Sequence, residues 1–141
     1  MAVIVPAPVA WDMRRTISVN KSRILVVEDD ATMRGALSDL LHDEGHDVVM
    51  AAHGGEALQR LTEREVDLIV LDIAMPEMGA FRFREEQAAQ GIGLDARVLV
   101  LSGAADLAGA AIRLRADGWV GKPTDVDTLM TTVNDLLRDG G

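Results

Sequence analysis

The sequence contains no cysteine, which excludes disulfide bridges and thiolate chemistry and fits a reducing compartment. It also lacks any apolar run near the roughly 18 residues that a membrane span requires. Its opening ten residues are apolar, but Pro6 and Pro8 interrupt them. The first basic residues, Arg14 and Arg15, come after this stretch, the reverse of a secretory signal. A cytoplasmic location is the expectation. Positive charge is scarce: 14 Lys and Arg stand against 23 Asp and Glu, for a net −9. The first 23 residues hold Arg14, Arg15, Lys21 and Arg23 against Asp12, a net +3, which leaves −12 for the rest. No Lys/Arg stripe offsets that field, so direct nucleic-acid binding is not expected. His42, His46 and His53 have no metal-ligand spacing and read as helix-end or surface residues.

What is present describes one soluble domain. A chain of 141 residues can bury a proper core but is too short for two domains, and 48% hydrophobic with 26% charged residues is ordinary globular composition. Residues 1–21 show no sustained period and read as a mobile arm, in which Trp11 could pin the arm to the body or to a partner. Residues 22–141 form the domain. Within it, short β-rich runs alternate with amphipathic stretches. Ile24-Leu25-Val26-Val27, Leu68-Ile69-Val70-Leu71 and Val98-Leu99-Val100-Leu101 are continuous apolar runs, as expected of strands covered on both faces. Asp47 to Ala51 reads as a second strand and Trp119-Val120 as a short fifth.

Five helices are expected between and after these strands. The first is capped by Asp30, carries Met33, Ala36, Leu37, Leu40 and Leu41 on one face, and stops at Gly45. The second runs from about Gly55 to Glu65 with Ala57, Leu58 and Leu61 inward. A weaker third covers about Phe81 to Gln90, and a fourth carries Leu107, Ala110, Ala111 and Leu114. Thr124 and Asp127 resemble a capping box for the last, which is lined by Val126, Leu129, Met130, Val133, Leu136 and Leu137. Alternating strands and helices with right-handed crossovers give an α/β fold with an open parallel sheet and helices on both faces.

Functional groups in such folds lie beyond the carboxyl ends of the strands. Here those ends carry Glu28-Asp29, Asp72, Ser102 and Lys122. Singly, each has a plain structural explanation: helix N-terminal charge, a turn hydroxyl, an exposed lysine before proline. Together they specify a chemistry. Three carboxylates in one pocket repel and invite a cation, and all-oxygen ligation without His or Cys favours Mg²⁺. Asp72, at the end of the central apolar strand, is the best-placed carboxylate nucleophile for phosphoryl transfer. Lys122 and the Ser102 hydroxyl can engage phosphate oxygens.

Four blocks resemble the signatures of bacterial two-component response-regulator receiver domains, in particular the stand-alone, chemotaxis-regulator-like kind. They are Ile24-Leu25-Val26-Val27-Glu28-Asp29-Asp30, Asp67-Leu68-Ile69-Val70-Leu71-Asp72-Ile73-Ala74-Met75-Pro76, Val98-Leu99-Val100-Leu101-Ser102-Gly103 and Gly121-Lys122-Pro123. Ala52-His53-Gly54-Gly55-Glu56-Ala57-Leu58 is similar to that family's start of the second helix. The resemblance runs from about Arg23 to Arg138. It implies a flavodoxin-like, doubly wound sheet of order 2-1-3-4-5. It implies that Asp72 accepts a phosphoryl group from the phosphohistidine of a histidine kinase or histidine phosphotransfer protein. Asp29, Asp72 and the backbone carbonyl of Ala74 would be the Mg²⁺ ligands, with Glu28 contacting the ion through water. Ser102 and Lys122 would contact the phosphoryl group, and Lys122-Pro123 would carry a cis peptide. Trp119 falls at the aromatic that swings inward when Ser102 moves; its plain alternative is a half-buried packing residue.

Departures from the family pattern are also visible. Gly79-Ala80 stands where Asp-Gly is usual, so Ala80 must avoid a positive φ or be strained there. The stretch from Ser102 to Lys122 is about two residues short, and Arg115 replaces the glycine that usually ends the fourth helix. Small residues at Ala74 and Ala104 should admit water and give the phosphoryl group a short or moderate lifetime. The expected function is a signalling switch. Its output would pass through the helix 4/strand 5/helix 5 face to a downstream protein, or through a phosphorylation-linked homodimer, since no output domain fits after Arg138. Enzymatic turnover is not expected beyond phosphoryl transfer to the chain's own Asp and slow autodephosphorylation. The alternative is a Mg²⁺-dependent phosphatase of the haloacid dehalogenase type, which needs a second acid where this chain has Ala74. A flavin module would need a phosphate loop where Glu28-Asp29-Asp30 would repel one.

Overall fold

The computed structural model describes residues 21–73, 79–103, 105–122 and 124–140, with Asp139 and Gly140 described for their backbone alone. Five parallel strands, β1 (Arg23–Val27), β2 (Asp47–Ala51), β3 (Leu68–Asp72), β4 (Arg97–Ser102) and β5 (Gly118–Gly121), form one sheet of order β2-β1-β3-β4-β5. Helices α1 (Ala31–Asp43), α2 (Gly54–Glu63), α3 (Ala80–Gln90), α4 (Leu107–Arg113) and α5 (Val126–Gly140) follow the strands in turn. The expected topology is therefore present. None of the described helices is long and apolar enough to cross a membrane.

The alternation of side chains along each strand divides the core into two layers. Leu25, Val27, Ile69, Leu71, Val98 and Val100 pack with Ala57, Leu58, Phe83 and Leu114, so α2, α3 and α4 cover one face. Ile24, Val26, Leu68, Val70, Leu99 and Leu101 pack with Leu37, Leu41, Leu129 and Val133, so α1 and α5 cover the other. Burial on both faces accounts for the unbroken apolar runs of the three central strands.

Local signals set the helix ends. Asp30 Oδ1 accepts from the backbone N–H groups of Thr32 (2.9 Å) and Met33 (3.1 Å), and α1 stops at Gly45 with φ +98°. Ala80 escapes the strain anticipated for it, because Gly79 takes the N-cap in extended backbone and Ala80 begins α3, buried at 1%. Arg115 does not escape. With φ +58° it is the one non-glycine residue in the left-handed region among the described residues, and it ends α4 where a glycine was missed.

Three expectations are corrected. The cap of α5 is Asp125, whose Oδ1 accepts from Thr128 N–H at 2.7 Å; the Thr124 hydroxyl instead donates to the Asp125 carbonyl. A carboxylate one residue later satisfies the helix's free N–H group better than the threonine hydroxyl. His46 is buried, not superficial: its Nδ1 accepts from Ser22 N–H at 3.1 Å, tying the α1–β2 turn to the start of β1. Val126 lies 49% exposed at the start of α5 rather than lining the core.

Candidate phosphoryl-acceptor site

Four strand ends deliver the chemical residues: Glu28 and Asp29 follow β1, Asp72 ends β3, Ser102 ends β4 and Lys122 follows β5. Glu28 directly follows β1, and its N–H donates to Ala51 O at 3.1 Å, extending the β1–β2 pairing by one rung. Its side chain is buried, accepting from Asp30 N–H at 3.3 Å. Asp29, one residue on, is exposed. Arg34 on the first turns of α1 donates Nη1 to Glu28 O at 2.8 Å and Asp29 O at 3.4 Å, fixing the turn that carries both acids. Asp72 ends β3 and is buried at 5% exposure. Its partner on β4 is Leu101, which makes the buried Ser102 the next residue on the adjacent strand. Lys122 N–H donates to Ser102 O at 2.9 Å, carrying the β4–β5 pairing past Gly121.

These placements converge. One oxygen each of Glu28, Asp29 and Asp72 lie within 4.8 Å of one another. Lys122 reaches over them, with Nζ 3.0 Å from Glu28 Oε1 and 3.7 Å from Asp72 Oδ1. The resting pocket thus holds two buried carboxylates and one exposed carboxylate under one ammonium group. The donor set is all oxygen and all carboxylate, and Asp29 opens it to solvent. That suits a hard cation that keeps several of its waters, and it suits Mg²⁺ better than Zn²⁺, which favours His and Cys. Ala74, Ala104 and Pro123, assigned above to ligation, phosphate access and a cis peptide, lie outside the described residues, as does Trp11.

Trp119 is 47% exposed on β5. It pairs with Val100, and Ser102 pairs with Gly121, so Ser102 and Trp119 face the same side of the sheet, two rungs apart. Gly121, the rung partner of Ser102, is the next β5 residue after Trp119 on that side of the sheet. A Cβ there would sit 3.5 Å from Leu107 Cδ2. About half of the Trp119 surface is exposed.

Sequence reasoning missed a polar support on the α3–α4 side. Arg84 donates Nε to Leu114 O (2.8 Å), Nη2 to Arg115 O (3.2 Å) and Nη1 to Gln87 Oε1 (2.6 Å). Gln87, fully buried, donates Nε2 to Gly93 O at 2.9 Å. Burial and the nearby Arg115 charge pull the Arg84 pKa down, against the pull of Asp117. The only hint in the sequence is the spacing of Arg84 and Gln87 on one face of a weakly amphipathic helix. His42 is exposed in the last turn of α1, and His53 caps α2, accepting at Nδ1 from Glu56 N–H at 3.2 Å.

Comparison with known proteins agrees with this architecture. The family model described as the response regulator receiver domain matches residues 24–134. The chain is similar to the chemotaxis protein CheY of Bacillus subtilis, at 33% identity over 119 residues that cover 82% of this chain and 98% of that one. It is also similar to the probable transcriptional regulator ycf27 of Cyanophora paradoxa, at 32% identity over 86% of this chain and 51% of that one. It spans about half the length of several such regulators. Among solved structures, the response regulator TrrA of Thermotoga maritima, in complex with Mg²⁺-BeF, superposes with a TM-score of 0.71 at 31% identity, covering 81% of this chain and 97% of that one. Matches of this extent, in sequence and in fold, place the chain in the family of response regulator receiver domains.

Proposed function

We propose that this chain is a phosphorylation-dependent switch of a two-component system or phosphorelay, with Asp72 as the phosphoacceptor. The observation that carries this reading is the convergence of Lys122, Glu28 and Asp72 from three strand ends, with Nζ 3.0 and 3.7 Å from the two buried acids. The donor is the phosphohistidine of a histidine kinase or histidine phosphotransfer protein. An Asp72 carboxylate oxygen attacks the phosphorus, the P–N bond to the donor breaks, and the electron pair leaves with the donor imidazole.

Asp29 and Asp72 would hold Mg²⁺ directly, together with the Ala74 carbonyl, and Glu28 through water. When bound, the cation supplies positive charge that offsets repulsion between carboxylate and phosphoryl oxygens. Lys122 does the complementary work from the protein side. At rest it balances Glu28 and Asp72; phosphorylation adds about −1.5 to −2 charge at the site, which draws Nζ off Glu28 toward the new oxygens. The Ser102 hydroxyl can donate to the same group. Because Trp119 shares a face with Ser102 across Gly121, a displacement at Ser102 opens room for the indole to turn inward. That biases the α4/β5/α5 face between two states.

The phosphorylated face would then bind a downstream protein or a second copy, in the cytoplasm. The domain acts on its own Asp72 rather than turning over a separate substrate. A haloacid dehalogenase reading is disfavoured by Ala74, which supplies no second acid. The test is incubation with a small phosphodonor, with and without Mg²⁺, followed by phosphate-affinity gel mobility and a pulldown from the source lysate. Labelling that depends on Mg²⁺ and is abolished by chelation is expected; labelling indifferent to chelation would overturn the acidic pocket's role.

A further inference from the structure

Helices α1 and α5 cover the same face of the sheet, yet their neighbouring apolar rows are left partly open. Met33 on α1 is 38% exposed and Val126 on α5 is 49% exposed, and Ala36 is exposed between the core-facing Leu37 and Leu40 rows. Between the two helices lies a groove of about 370 Å³, lined chiefly by Met33, Ala36, Leu40, Val126 and Leu129, with Asp125 also on its wall. The phosphoryl-transfer reading uses only one of its lining residues, Lys122.

We propose that this groove is the docking site for the chain's own residues 3–11, with the Trp11 indole as the anchor. Chemistry, reach and charge support this occupant. Val3, Ile4, Val5, Val9 and Trp11 make this the most apolar segment outside the described residues, matched in kind to the groove wall. Pro6 and Pro8 favour an extended polyproline conformation, which needs no hydrogen-bond ladder and can lie between two helices.

The reach is sufficient. The chain enters β1 at Arg23, at the amino edge of the sheet, whereas the groove is lined by Leu101 near the carboxyl end of β4. A five-residue strand spans about 17 Å. Trp11 precedes Ser22 by eleven positions, a tether of up to about 36 Å when extended and about 18 Å as a coil. A short tether holds its end at an effective concentration in the millimolar range, so a contact too weak for a free peptide is populated within one chain. Charge favours the same arrangement: Arg14 and Arg15 follow the apolar segment, and the groove carries Asp125 on a body of net −12.

The experiment uses the full chain with Trp119→Phe, which leaves Trp11 as the single indole. Acrylamide quenching of its fluorescence is compared with that of a synthetic peptide of residues 1–20. A second protein adds Met33→Glu and Val126→Glu, both at exposed positions, with far-UV circular dichroism to confirm that it folds. The expected result is quenching several-fold weaker in the chain than in the peptide, independent of protein concentration, and returning to the peptide value in the groove variant. Peptide-like quenching in the unmodified groove would overturn the proposal. So would protection that survives the two glutamates. Protection that grows with protein concentration would assign the groove to the arm of a second copy and overturn docking within one chain.

Discussion

Replacing Lys122 with Met keeps an unbranched side chain of similar length but removes the ammonium that two buried carboxylates share. At an effective dielectric of about 20, unit charges 3.0 and 3.7 Å apart attract by roughly 5.5 and 4.5 kcal/mol, against the cost of desolvating the lysine. Without the ammonium, carboxylates within 4.8 Å repel by roughly 3.5 kcal/mol in the same dielectric. Breaking a buried pair from one side costs about 3–5 kcal/mol. Lys122 is 26% exposed, so water screens part of the effect and the lower end, about 3 kcal/mol, is expected. For a domain of this size each kcal/mol moves the midpoint by about 4 °C, giving a fall in Tm of about 12 °C in chelator at low salt. Two additions should restore stability: Mg²⁺, by replacing the lost positive charge, and Glu28→Gln, by removing one of the repelling acids. Thermal melts of wild type, the single variant and the double variant, each with chelator and with Mg²⁺, decide the matter. A single variant that melts with wild type in chelator, or whose loss neither addition repairs, would refute the charge balance described for the pocket.

Other regions give independent predictions. Arg115→Gly should stabilise the domain by about 1 kcal/mol, read as a raised urea midpoint, because it relieves the left-handed backbone while leaving the carbonyl that Arg84 contacts. Gln87→Ala should cost about 1–2 kcal/mol, since it removes a fully buried amide, leaves the Gly93 carbonyl with only its bond from Ala96 N–H, and takes the acceptor from one Arg84 donor; an unchanged midpoint would mean water replaces the amide without loss. Burial lowers the His46 pKa, with Glu44 and Asp67 opposing in part. The unfolded chain therefore takes up the proton first as pH falls. Stability is complete above about 6.5 and declines below it, through the depressed folded value, by at most about 1.4 kcal/mol per pH unit. His46→Gln should flatten that slope in urea titrations between pH 7 and 5.

How much of this was legible depends on whether the signal was local. The runs at Ile24–Val27, Leu68–Leu71 and Val98–Leu101 announced strands buried on both faces, and the rule that sites gather at strand carboxyl ends then grouped Glu28, Asp29, Asp72, Ser102 and Lys122. Asp30 and Gly45 marked the ends of α1 because capping is a contact of three or four residues. The α5 cap was misplaced by one residue, since Thr124 and Asp125 both carry a suitable oxygen and only the backbone geometry chooses between them. Long-range pairings outside that rule left no trace in the pattern: Arg84 reaches carbonyls 30 and 31 residues away. His46 looked superficial because its hydrogen-bond partner, the Ser22 N–H group, lies 24 residues away in sequence. Arg115 was noticed as a departure, and the backbone supplied its consequence.

The central claim is that Asp72, and no other side chain, receives the phosphoryl group in a pocket primed by Lys122 and its neighbouring acids. Intact mass spectrometry after incubation with Mg²⁺ and a small phosphodonor addresses it directly. Wild type should gain the mass of a single phosphoryl group and Asp72→Asn should gain none; equal uptake by both proteins would contradict the account.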